Sequence, residues 1–275
     1  VPDVPTNPQF TAVAPFYDIL MANVPYARWV DYVEEILERR ECRVRTVLDL
    51  ACGTGKASFE LARRGYDVIG ADLSFPMVRQ AQRSPGAPGP PVRFVVQDAS
   101  ALGFRPHFDL VVCFYDSLNY VLDIDRLATV FEGVWRALRP GGLFVFDMNT
   151  TYALRRNMFT QNNLSDREAP LLYDWRSRYD RRAKIATVHM RFIWRSGDRR
   201  EFREVHRQKA YEIEEVLAAL SRTHFTDTDA YHALGFMPPG PKTSRVYYVA
   251  RKPAGVTNHT PVRRSGADAT PEDLP

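Results

Sequence analysis

The sequence predicts an α/β protein with a doubly wound sheet. Three observations carry that expectation. Short apolar runs alternate with helical patterns from residue 46 to residue 146. Several of those runs show little polar alternation, as parallel strands covered on both faces do. A turn with two glycines, Cys52-Gly-Thr-Gly55, joins the first run to the helix after it.

Two helical segments precede the first strand. The second, 26–40, places Trp29, Val33, Ile36 and Leu37 on one face. Strands are expected at 46–50, 67–71, 92–96, 108–114 and 143–146, with helices at 56–64 and 74–83. The clearest helix is 123–138, with Ile124, Leu127, Val130, Phe131, Val134, Trp135 and Leu138 as its apolar stripe. Asp123 caps its start and Arg139-Pro-Gly-Gly142 ends it. Ser74 is placed to cap the helix that follows it.

After the fifth strand the pattern changes. Residues 171–179, 184–195 and 200–209 read as three antiparallel strands, and Tyr173, Trp175 and Tyr179 share one face of the first. A helix marked by Ile213, Val216, Leu217 and Leu220 follows. Two closing strands, 225–230 and 244–250, bring the main sheet to seven. The expected organisation is a main domain of residues 10–150 and 211–252 with 151–210 inserted as a cap. Three prolines in residues 1–9 and four in 253–275 predict loose ends.

At 275 residues, 45% hydrophobic and 25% charged, the chain is large enough for a full core. No apolar run reaches the ~18–20 residues that span a bilayer, and no charged-then-apolar leader is visible. No membrane role is expected. Cys42, Cys52 and Cys113 are too few for a disulfide scaffold and lack metal-site spacing, so a reducing, cytoplasmic setting and no metal are expected. The net charge is only +4, but residues 151–210 hold 15 Lys and Arg against 7 Asp and Glu. Such a segment can attract an anion or present a solvated face.

The chemistry starts at Leu48-Asp-Leu-Ala-Cys-Gly-Thr-Gly55. A phosphate-binding P-loop fails here, because Leu50 and Ala57 stand where glycine and a hydroxyl are needed. A dinucleotide turn fits only in part, because Ser58 replaces the third glycine. S-adenosylmethionine has no phosphate to cradle and needs an acid for its ribose. Asp72 ends the second strand and can take both ribose hydroxyls. Asp98 can accept from an adenine amino group, and the Ala99 amide can face a ring nitrogen. All of these lie at carboxyl ends of parallel strands, where open α/β sheets bind ligands.

These residues make the sequence resemble the class I S-adenosylmethionine-dependent methyltransferases. The matching motifs are Asp49-Leu-Ala-Cys-Gly-Thr-Gly55, Asp72, Gln97-Asp98, Phe108-Asp-Leu-Val-Val-Cys113 and Leu138-Arg-Pro-Gly-Gly-Leu-Phe144, over residues 42–150. Ala51 replaces the first glycine of the family loop. A narrower bacterial subgroup is resembled through Phe16-Tyr-Asp18, Val24-Pro-Tyr-Ala-Arg-Trp29, Asp116-Ser-Leu-Asn-Tyr120, Phe146-Asp-Met-Asn149 and Ser244-Arg-Val-Tyr-Tyr248, over residues 14–252.

The resemblance implies a Rossmann-like seven-stranded fold that binds S-adenosylmethionine through Tyr17, Trp29, Asp49, Ala51, Gly53, Gly55, Asp72, Leu73, Gln97, Asp98, Ala99 and Phe114. Tyr17 would sit near the sulfonium, whose charge aromatic faces attract. Tyr17 and Asn119 are the candidate catalytic residues. Tyr26, Asp116, Tyr120, Asn149, Tyr173, Trp175 and Arg245 are candidates to line the acceptor pocket, with His189 a weaker one.

The expected acceptor is a small molecule under the cap, an anionic one being open to the insert's arginines. No base is evident, which favours an amine or a mildly acidic oxygen. A second reading uses the basic insert as a phosphate track for RNA. Its arginines alternate with acids and no aromatic–basic module accompanies them, so nucleic acid is not expected as a partner. A third is a nucleotide-binding module without catalysis.

Overall fold

A computed structural model describes residues 6–86, 89–197 and 199–255. The main sheet has seven strands, as expected. Five run parallel: β2 (Thr46–Leu50), β3 (Asp67–Asp72), β4 (Arg93–Val96), β5 (Phe108–Cys113) and β6 (Leu138–Asn149). Beside β6 lie β12 (Arg245–Arg251), antiparallel to it, and then β11 (Thr226–His232), giving the order β11-β12-β6-β5-β2-β3-β4. The order reverses between β2 and β5, and that reversal opens a crevice at the strands' carboxyl ends.

Helices cover both faces. The stripe of α5 (Ile124–Ala137) buries Leu127, Val130, Phe131 and Val134 against Phe144 and Phe146, while α7 (Ile213–Arg222) adds Val216 and Leu220. On the other face, α2 (Tyr26–Arg39) buries Val30, Val33 and Ile36 beside α3 (Lys56–Arg63). Asp123 caps α5 by accepting from the Asp125 and Arg126 amides. Ser74 caps α4 (Phe75–Arg83) by accepting from Met77 N.

The fifth parallel strand differs from expectation. β6 starts at Leu138, immediately after α5, rather than at residue 143. Phe108 pairs with Leu138 and Leu110 with Leu143, so Arg139–Gly142 is a bulge in the ladder. Gly142 suits it, because a Cβ there would stand 3.0 Å from Arg139 O.

The insert begins with α6 (Thr151–Arg155) and β7 (Gln161–Asn162). It continues with β8 (Leu171–Asp180), β9 (Ile185–Trp194) and β10 (Arg200–Lys209) in one antiparallel sheet. Of the start expected to be loose, residues 1–5 lie outside the described residues, and Thr6–Asn7 are built into this sheet's edge. β1 (Thr6–Asn7) runs parallel to β10, with Thr6 opposite Arg203 and the Asn7 side chain donating to Arg203 O. An edge strand offers unpaired backbone groups, so pairing there needs no apolar side chain. At the other end, Lys252 is buried and donates to Trp135 O and Leu138 O. Residues 256–275, the bulk of the predicted loose tail, lie outside the described residues.

Candidate active site

The crevice at the strand ends is a cavity of about 680 Å³, well within the range of small-molecule sites. The main sheet forms its floor. Phe159, Trp175, Met190, Phe192 and His206 of the insert, with Phe10 and Val13 ahead of α1 (Tyr17–Leu20), form its roof.

The floor begins with the β2–α3 loop. Ala51, Gly53 and Gly55 all have positive φ, at 59°, 56° and 81°. Ala51 therefore carries a left-handed backbone that costs an L residue ~1 kcal/mol, which explains why the family loop has glycine there. Gly53 lines the cavity, and a Cβ on it would stand 3.8 Å from the Tyr17 ring. Gly55 was expected to touch the cofactor and does not line the cavity. A Cβ on it would stand 2.6 Å from Phe94, so its absence allows ring packing beneath the loop.

Asp72 closes β3. Its carboxylate accepts from Gly53 N and Ser74 N, both at 2.8 Å, and so ties the glycine turn to the neighbouring strand end. Burial pushes its carboxyl up, opposed by these two amides. Leu73, Gln97, Asp98, Ala99 and Phe114 also line the cavity. Burial works against the charge on Asp98, but the Ser100 amide and hydroxyl and the Arg126 guanidinium hold its carboxyl below the usual range.

Asp49 is buried at the end of β2 and accepts from the Ser58 hydroxyl. Burial pushes its carboxyl up to about 7, against the Ser58 hydrogen bond, and the nearby Asp72 adds to the rise. Such a group contributes most to stability below about pH 4, where folded and unfolded chains are both protonated. That contribution is lost as pH climbs to about 7, because the unfolded chain ionises first. Asp49→Asn should therefore gain on the wild type by up to ~4 kcal/mol between pH 4 and pH 7.5. Urea midpoints at the two pH values check this; an unchanged difference would place Asp49 in a polar setting.

Tyr17 and Tyr26 line the cavity, and burial raises both phenols, so they enter it as neutral hydroxyls. Trp29 does not reach it. Its ring stacks on Tyr115 at 5.3 Å and lies under the Arg245 guanidinium, backing the wall that Tyr115 forms.

Tyr115 and Asp116, after β5, both have positive φ. Buried Asp147 holds that strained pair by accepting from both amides. Arg245 pairs with Asp147 and Asp116. Asp116 lines the cavity, whereas Arg245 works behind it as the counter-charge of two buried acids.

Asn119 was a catalytic candidate, and the structure corrects it. Its side chain donates to Asn149 O and Lys209 O and accepts from Asn149 N, away from the cavity. Those three bonds join β6 to β10. Asn149 likewise faces Gln208 instead of the cavity. Tyr173 packs on Trp175 at 5.0 Å and only Trp175 reaches the lining, while His189 is exposed on the cap's outer face. No group of His, Cys, Asp and Glu that could hold a metal occurs among the described residues.

Tyr120, expected at the acceptor pocket, does line the cavity, and its hydroxyl meets a residue the sequence reading missed, His206, at Nδ1 and 3.0 Å. His206 Nε2 meets Glu204 Oε2 at 2.8 Å. The signal was present in β10, where Phe202, Glu204, His206 and Gln208 alternate with Arg203, Val205 and Arg207. That alternation puts the four on one buried face.

Comparison with known proteins agrees with this geometry. A family model described as a methyltransferase domain matches residues 47–142. YqeM of Bacillus subtilis, named as a methyltransferase, is 30% identical over 88% of this chain and 97% of its own. A crystal structure of an S-adenosylmethionine-dependent methyltransferase from Clostridium acetobutylicum superposes with a TM-score of 0.76 at 28% identity, covering 87% of this chain and 97% of that one. The sugar N-methyltransferase KedS8 from Streptoalloteichus shares the fold, with a TM-score of 0.72 at 22% identity over 92% of this chain and 97% of its own. A turn that needs left-handed residues, an acid at the next strand end and kinship over nearly the whole length agree, and the chain belongs to the class I S-adenosylmethionine-dependent methyltransferases.

Proposed function

We propose that the chain methylates a small molecule held between the sheet edge and the cap. The observation that carries this reading is the roof: the cap residues lining the cavity are uncharged or aromatic, and none of the insert's arginines is among them. Lys56 and Arg126, the basic residues in the lining, are paired with Asp18 and Asp98. The expected role of the insert's arginines in gripping an anionic acceptor is therefore set aside. An acceptor with an apolar body and a polar reacting atom suits the lining better.

The residues at the strand ends fit S-adenosylmethionine, which supplies a methyl group activated by a positive sulfur. Asp72 would hold the ribose, Asp98 and Ala99 the adenine, and Asp49 with Gly53 the methionine end. Tyr17 and the roof exclude water and orient the acceptor, which is where most of the rate advantage of such a transfer arises.

The test is labelled methyl transfer to a panel of small alcohols, phenols, amines and carboxylic acids, with bulk tRNA as a parallel arm. Label is expected in a small compound and absent from tRNA. Label confined to tRNA would replace this reading with the RNA one. Hydrogen exchange should also fall in residues 14–30 when S-adenosylhomocysteine binds; equal exchange in both states would make those aromatics ordinary core.

A further inference from the structure

The cavity roof contains a buried chain of hydrogen bonds whose partners have complementary roles. Glu204 is fully buried and accepts everything it meets. Its Oε2 takes Phe10 N at 2.9 Å, and its Oε1 takes Thr11 N at 3.1 Å and Val13 N at 2.9 Å. His206 Nε2 faces the same Oε2 at 2.8 Å. A carboxylate already accepting three amide protons meets the ring as an acceptor too, so the ring proton sits on Nε2. That leaves Nδ1 with a free lone pair, and the Tyr120 hydroxyl lies 3.0 Å from it. Tyr120 and His206 both line the cavity, while Glu204 stands behind them.

We propose that Tyr120 and His206 form a proton relay that makes His206 the general base of the methyl transfer, with Glu204 as its positioning residue. This rests on the small-molecule reading and narrows it to an acceptor whose reacting atom must lose a proton, a hydroxyl above all. The acceptor oxygen's lone pair forms the bond to the methyl carbon. The carbon–sulfur bond breaks, and its electron pair goes to sulfur. The acceptor's proton passes to the Tyr120 oxygen as that hydroxyl's own proton passes to His206 Nδ1. The resulting imidazolium is stabilised by the Glu204 carboxylate.

The surroundings support a relay rather than a tyrosinate. Burial raises the Tyr120 phenol far above its usual value, and Asp116, Glu204 and Tyr115 add to the rise against an opposing Gln208 contact. The hydroxyl therefore passes a proton on without being left charged. Asp116 is neutralised by Arg245 on its far side, and Tyr17 also turns towards Tyr120. The Phe10 ring closes the remaining side, 4.6 Å from His206 and 5.1 Å from Tyr120.

The deciding experiment is nitrogen NMR on the full chain, labelled with ¹⁵N-histidine, at pH 8 with S-adenosylhomocysteine bound. His206→Gln identifies the His206 signals by their loss. Nε2 is expected in the protonated range and Nδ1 in the unprotonated range, with Nδ1 moving further that way in Tyr120→Phe as its donor disappears. A protonated Nδ1, or one indifferent to Tyr120→Phe, overturns the relay. The labelled-transfer panel separates the two readings: label confined to tRNA defeats the small-molecule reading, while label in a small compound with the wrong tautomer defeats only the relay. With any hydroxyl acceptor from the panel, His206→Gln should lower kcat by roughly 10²–10⁴-fold. S-adenosylhomocysteine affinity should stay within about twofold, because the ring is not assigned to the donor's pocket. An unchanged kcat with such an acceptor overturns the proposal as well.

Discussion

Asp72→Ala is expected to weaken S-adenosylhomocysteine binding by about 100-fold or more. A hydrogen bond to a charged group contributes roughly 1.5–3 kcal/mol, and two ribose hydroxyls converge on this carboxylate in the proposed pose. The same oxygens hold the Gly53 and Ser74 amides at 2.8 Å, so the alanine also frees the turn that lines the methionine end. Asp72→Asn separates the two effects. Its single carbonyl oxygen can keep one amide, while the charge and the second acceptor are lost, so its affinity should fall between the others. Calorimetry on the three proteins is the measurement. An alanine variant that binds as tightly as the wild type would remove Asp72 from the ribose site and confine it to the turn.

Asp72, Asp98 and Gly53 were legible because they are defined by chain order alone. Each ends a strand or opens a turn, and the topology of a doubly wound sheet carries every such position to one edge. The strands and helices were legible for a related reason: the apolar runs and the stripe of α5 are local patterns. The misplaced residues were of another kind. Asn119 follows β5, Asn149 ends β6 and Arg245 opens β12 beside it, so sequence position gave them much the same claim as Asp98. Their side chains are instead consumed by partners 30 to 129 residues away in the chain, which no local pattern displays. Trp29 was placed correctly on the inner face of its helix, but Tyr115 stands between it and the cavity.

Glu204 and His206 show the opposite failure. The insert was read through its arginines, because charge is conspicuous and these acids are few. Most of the arginines lie exposed or paired on the outer face, as Arg191 and Arg203 do with Glu201. The inward face of β10 bears Glu, His and Gln in alternation, and polar residues on a buried face need partners. Gln208 finds Asp116 and Asn149, His206 finds Tyr120 and Glu204, and Glu204 finds the amides of Phe10, Thr11 and Val13. Ser74, two residues past Asp72, also donates its hydroxyl to Phe10 O at 2.7 Å. Residues 10–13 are thus held between the cap and the loop that would grip the ribose, which couples the roof to the donor's site.

Glu204→Ala should therefore be among the most damaging substitutions in the insert. It removes one carboxylate and leaves three backbone N–H groups and the His206 ring without their acceptor. An unpaired buried donor costs about 1–3 kcal/mol, and water reaching the half-exposed Thr11 offsets part of the sum. A loss of roughly 3–5 kcal/mol remains, as for other buried charges stripped of partners. At ~2–4 °C per kcal/mol in a chain of this size, the melting temperature should fall by about 10 °C. The amides of residues 10–13 should lose hydrogen-exchange protection before the main sheet does, since their hold on the cap is what the substitution removes. Glu204→Gln should rescue little. One end of its amide can still accept, but the other would set an N–H against the donors that faced the carboxylate. A melting temperature within 2 °C of wild type, with residues 10–13 equally protected, would show that β1 and the Phe10 ring suffice to fasten the segment.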